Sequence, residues 1–169
     1  MDAFELLGAY ALDPTPAGLE ALRAAIRQHP SYDPMVLIGG TLAPLMREGL
    51  HQEVVDTIRA WTPGVLLSPS AHGYLAGALS ALGDEEGSRV EAKLSRLSVD
   101  SIAATGDGSR DDPCSVLRIE DEYDILRASS QESTGQKQLD DERGHFDVHT
   151  LKDGSEVWFR LLWRDADEG

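Results

Sequence analysis

One cysteine, Cys114, is the whole thiol content of 169 residues, so no disulfide can close within the chain. Long apolar runs are missing too, and none approaches the ~20 residues that span a bilayer. The opening stretch from Met1 to Leu12 starts acidic and lacks the basic region of a secretory signal. These absences predict a reducing, cytoplasmic setting and no membrane association. Positive charge is scarce as well. Fifteen basic side chains stand against thirty acidic ones, a formal net charge of -15, and such a field repels phosphate backbones and anionic lipid. Nucleic acid and membranes are thereby disfavoured as partners, whereas a protein with a basic surface is favoured.

Signatures of chemistry are the third absence. No serine sits in a nucleophile-elbow context, and no glycine-rich loop carries the lysine of a phosphate site. Acids lie just upstream of Cys114, and an acidic neighbourhood opposes the thiolate that a nucleophile needs. The sequence predicts no catalytic residue, no cofactor and no metal, and leaves the oligomeric state open.

What is present is an ordinary globular composition, with 41% of residues hydrophobic, which argues against disorder. Charge divides unevenly along it. Residues 1–98 hold 12 acidic and 7 basic side chains, and residues 99–169 hold 18 and 8.

Apolar residues recur with helical spacing through the first hundred residues. Three starts share an N-cap followed by proline: Thr15-Pro16, Asp33-Pro34 and Ser68-Pro69. The stripe after Pro16 is Leu19, Leu22, Ala25 and Ile26. After Pro34 it is Met35, Ile38, Leu42, Leu45 and Met46, ended by Gly49, with Gly39 and Gly40 inside it as a close helix contact or a break. A further helix carries Leu50, Val54, Val55, Ile58 and Trp61 up to Pro63-Gly64. The next carries His72, Leu75, Leu79 and Leu82 and is closed by Gly83, and the last is capped by Asp84 with Val90, Leu94 and Leu97 as its stripe. Gly49 and Gly83 stand 34 residues apart, the period of a tetratricopeptide helix pair. His72 falls on the core-facing stripe and is expected to be buried and hydrogen-bonded.

The break at Ser101–Pro113, rich in glycine and aspartate, ends this pattern. Beyond it a strand is expected at Cys114–Ile119, then a short helix capped by Asp121, with the acids Asp121, Glu122 and Asp124 explained by the helix dipole. Gln136–Leu139 is a weaker strand. The clearest element is a hairpin over 145–163 that turns at Asp153-Gly154. A two-residue turn sets Lys152 opposite Ser155. It pairs Val148 with Phe159, Phe146 with Leu161 and Thr150 with Val157 on one apolar face, and Asp147 with Arg160 and His149 with Trp158 on the other.

The expected fold is therefore α+β. Tetratricopeptide-like antiparallel helix pairs occupy 1–100, a Gly/Asp-rich connecting loop 101–113, and a small antiparallel sheet with one short helix 114–169, packed against the helices. His145, Asp147 and His149 share one strand face. However, four residues at ~3.3 Å each set the two histidines ~13 Å apart, too far to share an ion comfortably. The loop Thr105–Ser109 has the residues of an anion nest or of an oxygen-rich loop for a hard cation, with a structural turn as the plainer reading. A ligand site, were there one, would draw on Asp107, Ser109, Glu122, Tyr123, Gln138 and Asp147 at the junction of the two halves.

Several of these residues carry a resemblance. They are Leu22-Arg23, Tyr32-Asp33-Pro34, Ser70-Ala71-His72 and Leu82-Gly83-Asp84, then Ser101-Ile102, Gly106-Asp107-Gly108-Ser109, Asp121-Glu122-Tyr123, Leu126, Gln138-Leu139, Gly144-His145, Asp147-Val148 and Trp158-Phe159. In this order the chain resembles an uncharacterised bacterial family known as a domain of unknown function, number four-nine-one-nine, from about residue 19 to 161. The resemblance implies a tetratricopeptide-like helical part joined to a small sheet module, and implies no reaction. The expected function is a protein–protein interaction module of the adaptor, accessory or inhibitor type, with an acidic surface for a basic partner. The alternative is a small-ligand or metal-binding protein, or a weak hydrolase, with its site at the junction.

Overall fold

Asp2 opens the first helix by closing a capping box. Its Oδ1 accepts from the amides of Phe4 and Glu5, while Glu5 Oε2 accepts from the Asp2 amide at 2.8 Å. In the computed structural model, which describes residues 1–165, this helix is α1 (Ala3–Leu12). It is followed by α2 (Pro16–Gln28), α3 (Ile38–Arg47), α4 (His51–Trp61), α5 (Pro69–Ala81) and α6 (Glu85–Ala103).

Thr15 and Ser68 cap α2 and α5 ahead of a proline, as expected. The third such start fails. Asp33 and Pro34 form a turn in which the Met35 amide donates to Asp33 Oδ1 at 2.8 Å, so α3 begins only at Ile38. Gly39 and Gly40 then lie in a first helical turn. A side chain at Gly40 would meet Leu37 Cβ at 3.5 Å, an ordinary contact, so no close helix approach is built at Gly40. The helical core joins α3, α4 and α5 through Ile38, Leu42, Val54, Val55, Ile58 and Ala78. Gly49 and Gly83 follow α3 and α5 with φ of 74° and 87°, which preserves the expected spacing of helix ends.

The chain divides into two units, 1–98 and from Val99 on. The division falls inside α6, so the expected linker 101–113 belongs to the second unit. Ser101–Ala103 is the last turn of α6 rather than loop, and Ile102 is buried in the second unit's core. That unit contains β1 (Cys114–Val116), α7 (Ile119–Ala128), β2 (Ser133–Asp141), β3 (Gly144–Leu151) and β4 (Glu156–Leu161). The sheet order is β1-β4-β3-β2. β1 runs parallel to β4, so the sheet is mixed and not wholly antiparallel. The crossover through α7 permits a parallel neighbour that a hairpin could not supply. The last four residues of the expected module lie outside the described residues.

The expected hairpin register is wrong by one residue. Phe146 faces Arg160, Asp147 faces Phe159, Val148 faces Trp158 and His149 faces Val157. The turn explains the slip. Leu151, not Lys152, stands opposite Ser155, its amide donating to Ser155 O at 2.8 Å, while the Gly154 amide donates to Leu151 O at 2.9 Å. Gly154 has φ 84°, so Lys152-Asp153-Gly154 is a three-residue loop with its glycine in the left-handed region. Because side chains alternate, one residue of slip turns Asp147 and His149 to the face that packs on α7.

The Gly-Asp-Gly loop is tied to this sheet. Gly108 O accepts from the Trp158 amide at 2.8 Å, Gly106 O accepts from Cys114 Sγ at 3.1 Å, and Thr105 Oγ1 accepts from the Ser115 amide. A Cβ on Gly106 would lie 2.4 Å from Pro113 O, so only glycine fits there. Phe146, Val148 and Trp158 fill the opposite face, with the Arg143 guanidinium 5.1 Å from the Phe146 ring and 5.6 Å from the Trp158 ring. Among the described residues, no helix is long and apolar enough to cross a membrane.

Candidate functional site

Glu122 shares its helix face with Ile125 and Leu126, three and four residues on, so folding α7 onto the sheet carries a carboxyl group into the core. Asp147 and His149 meet it from β3. All three are buried, at 0%, 1% and 0% exposure. His149 Nε2 lies 2.7 Å from Glu122 Oε2, and its Nδ1 lies 2.9 Å from Ser133 Oγ. Gln136 Nε2 donates to Asp147 Oδ2 at 2.8 Å, and the Tyr123 hydroxyl donates to Gln136 Oε1 at 2.6 Å. The result is two hydrogen-bonded branches, one from Tyr123, which is 38% exposed, through Gln136 to Asp147, and one from Glu122 through His149 to Ser133.

Two buried oxygens, Glu122 Oε1 and Asp147 Oδ1, have no partner among the described residues. A proton on Glu122 shared with Asp147 satisfies both at once. Burial, the neighbouring charge of Asp147 and the hydrogen bond to it push the Glu122 carboxyl from 4.5 up to about 10. Burial likewise holds the His149 imidazole below its ordinary value, despite the opposing pull of Asp147. The short Glu122–His149 contact is therefore a hydrogen bond between a neutral acid and a neutral imidazole, not an ion pair. A charged pair so far from water would cost more than it returns. The Tyr123 hydroxyl is shifted upward by burial and by both acids.

Of the six residues named from sequence, this network holds Glu122, Tyr123 and Asp147. All three lie in the sheet unit rather than in a site shared by the halves. Gln138 stands opposite Asp147 in the ladder but is exposed, and Gln136 takes its place. Asp107 and Ser109 remain in their loop. The Ser109 amide donates to Asp107 Oδ1 at 2.8 Å, and Ser109 hydrogen bonds hold that exposed carboxylate below its ordinary value. Ser109 Oγ accepts from the Asp112 amide, so the loop closes on itself.

The acids of α7 do more than complement the helix dipole. Asp121, Glu122 and Asp124 are all buried. Asp121 does not cap α7, which follows Arg118. Its carboxylate instead accepts from the Leu117 amide and from buried Arg118. Asp147 does not pair with Arg160, which meets Asp165 at 3.1 Å. His149 does not stack on Trp158. Its ring packs edge-on against Tyr123 and Phe159, at 5.2 and 5.5 Å. His145 is engaged separately with Asp140. Sequence reasoning missed His149 as the partner of Glu122, Gln136 as the partner of Asp147 and Tyr123, and Ser133 as the partner of His149. The available signal was a carboxylate in phase with Ile125 and Leu126, whose burial obliges it to find partners. Cys114 is buried. Among the described residues no group of three or more His, Cys, Asp or Glu side chains is arranged to hold a metal ion.

The helical unit contributes a different feature. A groove of about 490 Å³ is lined by residues of α1, α4, α5 and α6, mostly apolar. His72 closes one side, buried as expected, with Nδ1 2.6 Å from Glu91 Oε2 and Nε2 2.7 Å from Leu66 O. Asp84 and Glu91 stand in the wall, and Phe4 sits at the rim. Glu122, Asp147 and His149 are buried, whereas this groove is open. Comparison with family models, curated proteins and solved structures returns no match to the chain.

Proposed function

We propose that the chain is a protein–protein interaction module of the adaptor, accessory or inhibitor type, with an acidic surface that takes a basic partner. The observation that carries this reading is the open, apolar-floored groove of the helical unit with Asp84 and Glu91 in its wall. A net charge of -15 supports it by raising the local concentration of cationic partners and by opposing self-association. Cytoplasmic location and kinship with the domain-of-unknown-function family are parts of the same proposal, and neither adds a reaction to it. The ligand-site alternative draws no support from Asp107 and Ser109, whose hydrogen bonds are made within their own loop.

Selection from a displayed random-peptide library on the immobilised full chain tests the proposal. Convergent, arginine- or lysine-bearing sequences that compete with one another are expected. A selection that never converges, or one that converges on acidic sequences, refutes it.

A further inference from the structure

Resting on the reading of the chain as an interaction module, we propose that the groove of the helical unit binds a short peptide segment in which a bulky apolar side chain is flanked by arginine or lysine. The size of the groove sets the first limit. At about 490 Å³ it falls within the ~300–1,000 Å³ of pockets that enclose small ligands and anchoring side chains, so an anchor segment fits rather than a folded domain. Its floor sets the second. Leu75, Leu79 and Leu94 are only half-buried there, which leaves apolar surface in water that an aliphatic or aromatic anchor would cover. At the rim Phe4 is 56% exposed, a large apolar side chain of the kind that carries binding energy at interfaces.

Charge sets the third limit. Asp84 caps the start of α6 through the Gly87 amide at 2.9 Å and is otherwise solvent-facing. Glu91 uses Oε2 on His72 and makes no further hydrogen bond among the described residues. Both carboxylates therefore have an oxygen to offer a guanidinium or ammonium group. Arg59 also lines the groove, so the basic group of the ligand lies on the Asp84–Glu91 side. A second copy of this chain is a poor occupant, because each copy brings a charge of -15.

Fluorescence anisotropy of labelled peptides on the full chain at low salt tests the assignment. The probes are an alternating arginine–leucine peptide, its glutamate–leucine counterpart and an arginine–serine control. The arginine–leucine peptide is expected to bind, and each of the others to bind roughly tenfold more weakly or worse. Phe4→Ala should weaken the arginine–leucine peptide roughly tenfold. The double substitution Asp84→Asn with Glu91→Gln keeps the helix cap and the His72 hydrogen bond, and should cost about fivefold, with the salt dependence reduced. Failure of the arginine–leucine peptide to bind overturns the groove assignment. So does equal binding by the arginine–serine control, or indifference to both sets of substitutions. If library selection still converges on basic sequences, the interaction reading survives that failure. If selection also fails to converge, both are lost.

Discussion

Replacing Glu122 with glutamine should flatten the alkaline loss of stability in the sheet unit. The carboxyl titrates at 4.5 in the unfolded chain and at about 10 in the folded one. A raised folded value favours the protonated form, so the contribution is fully present below 4.5 and is lost as pH rises toward 10. Across that window folding must take up one proton that the unfolded chain has released. Each pH unit then costs about 1.4 kcal/mol, which amounts to about 3 kcal/mol between pH 7 and pH 9. The amide of Glu122→Gln holds no titrating proton. Its N–H can donate to Asp147 Oδ1 and its carbonyl can accept from His149 Nε2, leaving one amide hydrogen unmatched at a fixed cost of about 1–3 kcal/mol.

The fixed cost moves the whole curve, whereas the proton changes its slope, so the slope is the quantity to read. Denaturant titrations at pH 7, 8 and 9 in a Trp61→Phe background leave Trp158 and Trp163 to report on the sheet unit. Variant and wild type should diverge by about 3 kcal/mol over the two pH units, in favour of the variant as pH rises. Parallel curves would mean that Glu122 folds as a carboxylate, and the shared proton would be ruled out.

The acid limb has the opposite sign. His149 is held below 6.5, so the unfolded chain binds its proton first, and stability should fall as pH drops below that value. Tryptophan emission of the same Trp61→Phe protein should show this fall, and His149→Gln should remove it. Gly154→Ala meets no atom within 4 Å but must hold φ 84°, so chemical denaturation should show a loss of roughly 1 kcal/mol from the backbone alone. Leu42→Ala, at a fully buried position of the helical core, should cost about 2–5 kcal/mol in a denaturation followed by Trp61. A loss below 1 kcal/mol there would contradict the packing described for α3.

The helical unit was largely legible because its signals are local. Thr15-Pro16 and Ser68-Pro69 fix helix starts within four residues of sequence, and the stripes of α2 and α4 repeat often enough to set which face is buried, whereas α5 buries Ala71, Ala76 and Ala78 beside His72 and leaves Leu82 of its expected stripe exposed. Asp33-Pro34 shows the limit of such signals, since a capping side chain serves a turn as readily as a helix. The grouping of Glu122, Tyr123 and Asp147 was partly legible, but their setting was not. Gln136 and Gln138 both point to the Asp147 face of β2, and nothing in the sequence says which of them reaches that carboxylate.

The hairpin failed for a deeper reason. Asp153-Gly154 suits a two-residue turn and a three-residue loop equally, and the two differ by one position in every pair. In isolation the pairing of Asp147 with Arg160 looks better than the observed pairing with Phe159. In the observed register Val157, Phe159 and Leu161, which share a core with Cys114, Val116, Ile102 and Leu126, are joined from β3 by Asp147, His149 and Leu151 rather than by Phe146, Val148 and Thr150. Asp147 and His149 come to that face as a consequence, and Gln136 and Ser133 satisfy one atom of each, leaving Asp147 Oδ1 and His149 Nε2 to be matched. Glu122 matches both from α7, because a protonated acid can donate to Asp147 and accept from His149 with the same group. The register, the helix and the proton therefore depend on one another. That dependence spans residues 122 to 161, beyond the reach of any pattern read over a few neighbouring positions.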